Sequence, residues 1–251
     1  MRSQLYVFLC SQVWHQIIKL ENKADVIAAV FNQLLVVVPV SYTHLLWAYV
    51  ERELSAHSIQ KNPNKAKIRY SRFAHIQRVY RFANRIYGEL NESEKQAVDL
   101  ESLQISAIFH DVGYSREEED HALTGARLCR EFLGAHGYEE EKTEFICGLV
   151  ARHSDKTFLG DKNSPLELVI LQEADLLDDT GAHGIVVDIW MEAVNNPENV
   201  SFDSMLEHIK RYTLQIMQEN PMRTIPARRL WEEKRALVHE FVRQLELDLQ
   251  I

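Results

Sequence analysis

The sequence predicts an all-α protein. Its 251 residues include only 9 glycines and 6 prolines, and they are rich in Leu, Ala, Glu and Arg. This composition favours helices over a turn-rich β fold. From residue 46 onward, apolar residues recur every three or four positions, which is the spacing of helices that bury one face. No pair of alternating strands, internal repeat or low-complexity segment stands out.

The first predicted helices follow from this spacing. Residues 46–60 repeat apolar residues at helical intervals, and a polar stretch containing Pro63 separates them from the next helix. A helix over 71–90 presents a largely apolar face and is followed by the acidic segment NESEKQ, a turn or helix start. The short apolar segment LQISAIFHD then forms a helix that stops at Gly113.

The second half of the chain continues the helical pattern. Residues 121–137 end at Gly137, and the segment 166–179 is apolar up to its acidic end, so we expect it to run through the core. The other expected helices are 139–153, an apolar helix after Gly181–Gly184 that runs through Val194, 202–219 and 226–249. The last helix is amphipathic, and its apolar face either covers the core or forms a homodimer interface. The apolar residues of that face are Trp231, Leu237, Val238, Phe241 and Leu245.

Residues 1–45 form a doubtful N-terminal extension. Val40–Leu45 resembles, letter for letter, one reading frame of a transposase adapter used in preparing sequencing libraries. Either the gene model joins unrelated sequence to a genuine domain, or the hexapeptide is a coincidence in an ordinary extension. In both cases we expect the domain to span 46–251, with its core motifs in 70–195.

The bulk composition excludes several functions. A formal charge of −9 argues against general affinity for duplex nucleic acid, although a nucleotide substrate stays possible. The three cysteines show no CxxC spacing, which favours a reduced, cytoplasmic protein, and Cys129 and Cys147 are expected to pack as small apolar residues. No apolar run reaches the roughly 18 residues of a membrane span, and no signal peptide is evident.

Ionisable residues lie inside three otherwise apolar helices. His75 lies in RFAHIQRVYRFA, His110–Asp111 follow ISAIF, and Asp175 follows LVILQEA. Since burying an unpaired charge is costly, a divalent cation that offsets two carboxylates and orients two imidazoles explains this placement. Taken singly, each residue could be a hydrogen-bonded core histidine, a helix terminus or a cap. Mixed His and carboxylate ligation suits Mn²⁺, Fe²⁺, Co²⁺, Ni²⁺ or Zn²⁺.

The ordered set H…HD…D resembles the HD-domain superfamily of metal-dependent phosphohydrolases. The matching pieces, over about residues 50–195, are HIQRVYRFA, AIFHDVGY, HALTGARL, ARHS and EADLLDDTGAHGI. The likeness is greatest to bacterial HD hydrolases that include nucleotide pyrophosphohydrolases. It implies an HD-domain helical bundle, slightly favours manganese, and implies four metal ligands: His75, His110, Asp111 and Asp175.

Further residues are candidates for catalysis. In some HD proteins, histidines in stretches like those of His121 and His153 bind a second metal or contact phosphate. For this chain we place phosphate contact or proton transfer ahead of a second metal, and the alternative is a pair of helix-terminal histidines. Asp178 lies one turn after Asp175, where it could orient a histidine or hold a water, or could be the solvated end of a helix.

Three basic residues are candidates for binding phosphate oxygens. Arg78 lies one turn beyond His75, and Arg152 and Lys156 flank the ARHS motif. Surface arginines are common, so a purely solvated role is the alternative for each of them.

The expected function is metal-dependent phosphohydrolysis of a small-molecule phosphate substrate, in particular a nucleotide. A metal-activated water would attack phosphorus, Asp111 would hold the metal, and His121 or His153 would protonate the leaving oxygen. One alternative is a non-catalytic HD module that binds a nucleotide or a protein, and another is a purely structural metal. Asp111→Ala separates an enzyme, which keeps its fold, from a structural site, which loses stability with its metal.

Overall fold

The structure, a computed structural model, describes residues 43–56 and 72–250, which form ten α-helices and contain no strand. The helices are α1 (residues 43–56), α2 (Arg72–Glu89), α3 (Glu92–Gln96), α4 (Leu100–Phe109), α5 (His121–Ala135), α6 (Glu140–Arg152), α7 (Leu166–Asp178), α8 (Gly181–Asn195), α9 (Phe202–Ile209) and α10 (Ile225–Leu249). Two 3₁₀ helices, Val112–Ser115 and Lys156–Leu159, and a π-helical segment, Lys210–Leu214, connect them. The all-α prediction is confirmed.

Polar side chains fix the beginnings of several helices. Asn91 and Glu94 form a capping box at α3, in which each side chain accepts a hydrogen bond from the other residue's backbone N–H. The Asp99 carboxylate accepts from the backbone N–H of Ser102 at the start of α4. The Thr224 hydroxyl caps α10 in the same way. These caps begin the helices where their apolar faces can meet.

Helix α7 is the centre of the bundle. Ile170, Leu171, Ala174 and Leu177 of this helix are inaccessible to solvent and belong to the main core. Helices α2, α4, α8 and α10 all pack against it. Because α2, α4 and α7 meet in this way, polar residues at their ends are brought to one place.

The last helix buries a narrower face than the sequence predicts. Trp231 and Val238 are fully buried as expected, and Leu245 packs partly buried against the core. Leu237 and Phe241, by contrast, are 46% and 36% exposed. Each precedes a buried residue by one position, which turns it by about 100° around the helix axis, towards solvent.

Other predictions hold with changed boundaries. The helix expected at 202–219 is α-helical only to Ile209 and continues as the π-helical segment. The helix expected after Gly181–Gly184 already begins at Gly181, whose φ of 72° suits glycine. Cys129 and Cys147 are buried and form no disulfide, as expected. The expectations for residues 1–42 and 57–71, including the polar stretch with Pro63, lie outside the described residues.

Across residues 43–56 and 72–250, none of the helices has the length and apolar character needed to cross a bilayer.

Candidate metal centre

Helices α2, α4 and α7 deliver the four predicted metal ligands to one buried place. His75 lies in the first turn of α2, and His110 and Asp111 close the end of α4. Asp175 lies in the last turn of α7. His75, His110 and Asp111 are at most 3% exposed. These residues are far apart in the sequence, but their helices pack directly against one another.

The donor atoms of the four side chains nearly touch. His75 Nε2 lies 3.2 Å from His110 Nε2. The same nitrogen is 3.3 Å from Asp111 Oδ2 and 3.2 Å from Asp175 Oδ1. His110 Nε2 is 3.7 Å from the Asp111 oxygen and 3.9 Å from the Asp175 oxygen. The structure therefore brings together all four residues that the sequence singled out.

The hydrogen bonds of the two imidazoles show why a cation fits between them. His110 Nδ1 is 2.9 Å from the Ala107 carbonyl oxygen, which can only accept, so Nδ1 carries the proton and Nε2 offers a lone pair. His75 Nδ1 likewise donates to Asp178 Oδ2 at 2.7 Å. Two nitrogen lone pairs and two carboxylate oxygens thus point at one another. Either a metal ion or an extra proton must lie among them.

The pKa values of the histidines reflect this competition. Burial acts to lower the pKa of His75, but hydrogen bonds to Asp111, Asp175 and Asp178 outweigh it. As a result, this pKa lies well above the ordinary 6.5. Burial lowers the pKa of His110 to about 4, so His110 stays neutral at physiological pH. In the metal-free protein a proton on His75 takes the position that a cation would hold.

Two basic side chains adjoin the carboxylates. Arg72 donates to Asp111 Oδ2 at 2.9 Å, and Lys156 Nζ lies 2.5 Å from Asp175 Oδ2. Burial acts to raise the pKa of Asp111, but His110 and Arg72 outweigh it and hold the pKa well below its usual value. For Asp175, the charge of Lys156 and the bond from His75 likewise outweigh burial. Both carboxylates are therefore ionised across the physiological range.

A second pair of histidines meets the other oxygen of Asp111. His153 Nε2 and His121 Nε2 lie 3.3 Å and 3.6 Å from Asp111 Oδ1. Their Nδ1 atoms donate to backbone carbonyls, to Val150 at 2.7 Å and to Glu118 at 3.1 Å. Both Nε2 lone pairs therefore face the carboxylate. Asp111 presents one oxygen to each histidine pair, and each set has donor atoms within 4.8 Å of one another.

Asp178 and Arg78 lie behind His75. Arg78 forms two hydrogen bonds with the Asp178 carboxylate, at 2.7 and 3.0 Å. Asp178 is 1% exposed and holds Nδ1 of His75, which fixes the orientation of the ring. This arrangement favours the orienting role that was one of the alternatives for Asp178. It commits the Arg78 guanidinium to Asp178.

The other predicted phosphate-binding residues differ in position. Lys156 reaches Asp175 and also donates to the His153 carbonyl at 3.0 Å, so it lies at the edge of the cluster. Arg152 donates to the Gly148 carbonyl and lies over the Phe158 ring. The contacts of Arg152 therefore support its helix and the following loop.

Sequence reasoning missed Arg72 and Tyr114. Arg72 lies 3.9 Å above the centre of the Tyr114 ring, and this ring stacks on His121 with centroids 4.1 Å apart. The three side chains form a layer beside Asp111. Arg72 precedes His75 by three residues, a spacing that places both on one helix face and could have revealed it.

Two glycines allow the HDVGY and HALTGA segments to approach closely. A Cβ on Gly113 would lie 1.9 Å from the His121 carbonyl oxygen and 2.7 Å from the Gly125 nitrogen. A Cβ on Gly125 would lie 3.3 Å from the His110 carbonyl oxygen. Glycine at both positions therefore allows His121 to reach Asp111.

Comparison with known proteins agrees with the fold and the cluster. Residues 72–180 match the model of the HD domain. They contain all residues of the His/Asp group that we call the metal cluster: His75, His110, Asp111, His121, His153 and Asp175. Residues 72–180 of this chain therefore form an HD domain, which is a helical bundle. This confirms the resemblance seen in the sequence. A comparison with curated proteins gives no sequence match.

Several solved structures share the fold. YpgQ from Bacillus subtilis is 22% identical with a TM-score of 0.57, over 83% of this chain and 96% of that chain. An HD-superfamily hydrolase from Bacillus thuringiensis is 20% identical with a TM-score of 0.60, over 84% of this chain and 97% of that one. A predicted HD-superfamily hydrolase from an uncultured Thermotogales bacterium is 20% identical with a TM-score of 0.53, over 82% and 92%. At these identities the likeness establishes the fold.

Proposed function

We propose that this protein is a divalent-metal-dependent phosphohydrolase that acts on nucleotides or related phosphate esters and anhydrides. The observation that carries the proposal is the convergence of two imidazole lone pairs on Asp111 and Asp175 oxygens, within 3.9 Å, beside Arg72 and Lys156. Only a cation or a proton satisfies such a set of acceptors. The adjoining basic side chains suit an anionic substrate.

The bound ion would be held by His75, His110, Asp111 and Asp175. A divalent ion at such a site acts as a Lewis acid and lowers the pKa of water, which is the chemistry that hydrolysis at phosphorus needs. Mixed nitrogen and oxygen ligation supports Mn²⁺, Fe²⁺, Co²⁺, Ni²⁺ or Zn²⁺, with manganese slightly favoured by the family resemblance. Arg72, which lies beside Asp111, and Lys156, which lies beside Asp175, would bind phosphate oxygens.

The second histidine pair supports two roles. Burial lowers the pKa of His121, so its imidazole is neutral near physiological pH and its Nε2 is an acceptor. A neutral His121 beside His153 and Asp111 Oδ1 supports the binding of a second divalent ion. From the sequence alone, we placed this role behind proton transfer. Without a second ion, one of these Nε2 atoms could instead take a proton from the attacking water. It could then donate a hydrogen bond to phosphate or pass that proton to the leaving oxygen.

Two further observations support a nucleotide as substrate. One of the crystal structures of Bacillus subtilis YpgQ is a complex with ADP. In this chain, two cationic side chains, Arg72 and Lys156, adjoin the cluster although the whole protein is acidic. We propose that the partner is a small-molecule phosphate and that the protein is cytoplasmic. We also propose that it forms a homodimer through the exposed face of α10.

The test is a screen of the purified full chain. The protein is stripped with a chelator, reloaded with each of the five metals, and supplied with nucleoside mono-, di- and triphosphates, while orthophosphate and pyrophosphate are measured separately. We expect metal-dependent release of one of these products. Asp111→Ala should abolish release while its circular dichroism spectrum stays helical, and exposed Asp203→Ala serves as the matched control. A folded, metal-loaded protein that hydrolyses none of these compounds would overturn the proposal.

A further inference from the structure

A cavity is lined in part by Lys156, at the edge of the candidate metal centre. Its volume is about 720 Å³. The 3₁₀ helix Lys156–Leu159, the loop that follows it, the end of α7 and the segment that precedes α10 form its walls. Lys156 belongs both to this cavity and to the edge of the metal cluster, since its Nζ lies 2.5 Å from Asp175. The cavity therefore adjoins the candidate metal centre.

The walls of this cavity carry four cationic side chains. They are Lys156, Lys162, Arg223 and Arg228. This is a local excess of positive charge in a chain with a net charge of −9. The positive end of the dipole of α10, a helix of 25 residues, adds to it. Such a cavity attracts a polyanion more strongly than a neutral ligand.

Backbone contacts hold the two arginines in the wall. Arg228 Nε donates to the Met222 carbonyl at 2.7 Å, and one terminal nitrogen of Arg223 donates to the Asp161 carbonyl at 2.8 Å. Each guanidinium uses one of its five N–H groups for this hydrogen bond to the backbone. Anchored guanidinium groups lose less side-chain entropy when they bind an anion, which suits them to phosphate recognition.

The wall is also fastened to the helix that carries the metal cluster. The buried Glu173 carboxylate accepts hydrogen bonds from the backbone N–H of Arg223 at 2.5 Å and of Thr224 at 2.8 Å. It accepts a third from the Thr224 hydroxyl at 2.7 Å. Glu173 precedes Asp175 by two residues on α7. The distance between the basic wall and the cluster is therefore fixed by one rigid helix.

We infer that this basic cavity binds the non-reacting phosphate groups of a polyphosphorylated substrate, which would react at the phosphorus beside the metal cluster. The inference rests on the proposed phosphohydrolase function and selects polyphosphates over simple monoesters. Arg223 and Arg228 lie beyond residue 180, where the match to the HD domain ends. The C-terminal segment thus contributes two of the four cationic side chains, and Lys156 and Lys162 come from within the HD domain.

Calorimetry on the metal-stripped full chain tests the inference without relying on turnover. The probes are inorganic tripolyphosphate, orthophosphate and adenosine. We expect tripolyphosphate to bind most tightly and to weaken as salt is raised. Arg228→Ala and Lys162→Ala should each reduce its affinity by about five- to tenfold, because each removes a charge-assisted contact. Arg229→Ala, an exposed neighbour that pairs with Glu89, is the matched control.

The outcomes separate this inference from the proposed function. Tripolyphosphate affinities that are equal in wild type and both variants would overturn the inference, as would a preference for adenosine. If the wild type nevertheless hydrolyses a nucleotide when loaded with metal, the phosphohydrolase proposal stands alone. Loss of tripolyphosphate affinity in both variants supports the subsite even if no metal gives hydrolysis, in which case the hydrolase proposal fails.

Discussion

The two halves of the histidine cluster differ in how the protein holds them. On one side of Asp111, His75 and His110 share the space with a second carboxylate, Asp175, and His75 is braced by Asp178. On the other side, His121 and His153 face Asp111 alone and are held by backbone carbonyls. The first half carries more negative charge, so it should bind a cation more tightly.

The halves are alike in burial. His75, His110 and His153 are at most 1% exposed, and each half has one partly exposed side chain, Asp175 in the first and His121 in the second. The half with two carboxylates suits a permanently bound ion. The half without a second carboxylate, where Tyr114 stacks on His121, suits contact with an anionic substrate. We therefore expect substitutions in the two halves to have different effects.

The largest effect is expected for Asp111→Asn, because Asp111 joins the two halves. The amide keeps the shape but removes the charge that both histidine pairs face. Loss of several kcal/mol of electrostatic stabilisation corresponds to a fall in hydrolysis of about 10³-fold or more. Steady-state rates with saturating metal measure this. Activity within a factor of ten of wild type would show that neither half depends on the shared carboxylate.

The second prediction sets the halves against each other. His75→Ala should abolish retention of the tightly bound ion, whereas His121→Ala should retain it and lose about 10²- to 10⁴-fold in rate. Elemental analysis after dialysis, together with rates at high metal concentration, separates the two effects. The control is His136→Ala. His136 directly follows the last residue of α5, the helix that begins with His121, and its ring stacks on Phe132. Equal metal loss in both active-site variants would contradict the contrast.

The sequence predicted the fold and the contents of the site to different degrees. The helical spacing located nearly every helix, and the H…HD…D order identified four side chains. In the structure, the Nε2 atoms of the two histidines lie within 3.9 Å of oxygens of both carboxylates. Ligand order in the sequence can be recognised because it lies in short motifs. The identification of those motifs depended on the family resemblance as well as on spacing.

The rest depends on packing that a linear pattern does not contain. Tyr114 stacks on His121 where Gly113 and Gly125 let two segments approach, and Arg72 reaches this ring from α2. Arg78 was a candidate for binding phosphate, and its observed partner Asp178 lies 100 residues further along the chain. The basic cavity combines residues from two segments separated by about sixty positions. Such pairings follow from the three-dimensional arrangement of α2, α7 and α10.

The third prediction concerns the brace behind His75. Asp178→Asn removes the charged acceptor for His75 Nδ1 and leaves Arg78 without its ion pair. Since partners that orient a metal ligand are typically worth 10- to 100-fold in affinity, metal binding in the first half should weaken by about that factor. Competition with a fluorescent chelator measures it. The exposed Asp203→Asn should bind metal like the wild type, and an Asp178→Asn protein that does the same would show that the brace has no such role.

The smallest effect is expected from pH. The pKa of His75 is raised above 6.5, so its proton stabilises the metal-free fold at low pH and this contribution is lost as pH rises through the raised value. Asp111 and Asp175, with lowered pKa values, stay ionised in the same window. Metal binding should release on the order of one proton near neutral pH.

Calorimetry in buffers of different ionisation enthalpy counts that proton. The increase in Tm produced by Mn²⁺ should also grow as pH rises above 6.5 and through the raised pKa of His75, since the ion then competes less with a proton. His75→Ala should lose the bound ion and the proton release together. A heat of binding that is the same in every buffer would mean that His75 carries no proton to displace.

Two imidazoles and two carboxylates from α2, α4 and α7 are expected to bind one ion. X-ray absorption spectroscopy of the full chain with one equivalent of Mn²⁺ tests this arrangement. We expect scattering from two histidine rings in the wild type and in His136→Ala, and its loss in His75→Ala, where the ion is no longer retained. A wild-type spectrum with oxygen ligands alone, or histidine scattering that is the same in wild type and His75→Ala, would contradict this arrangement.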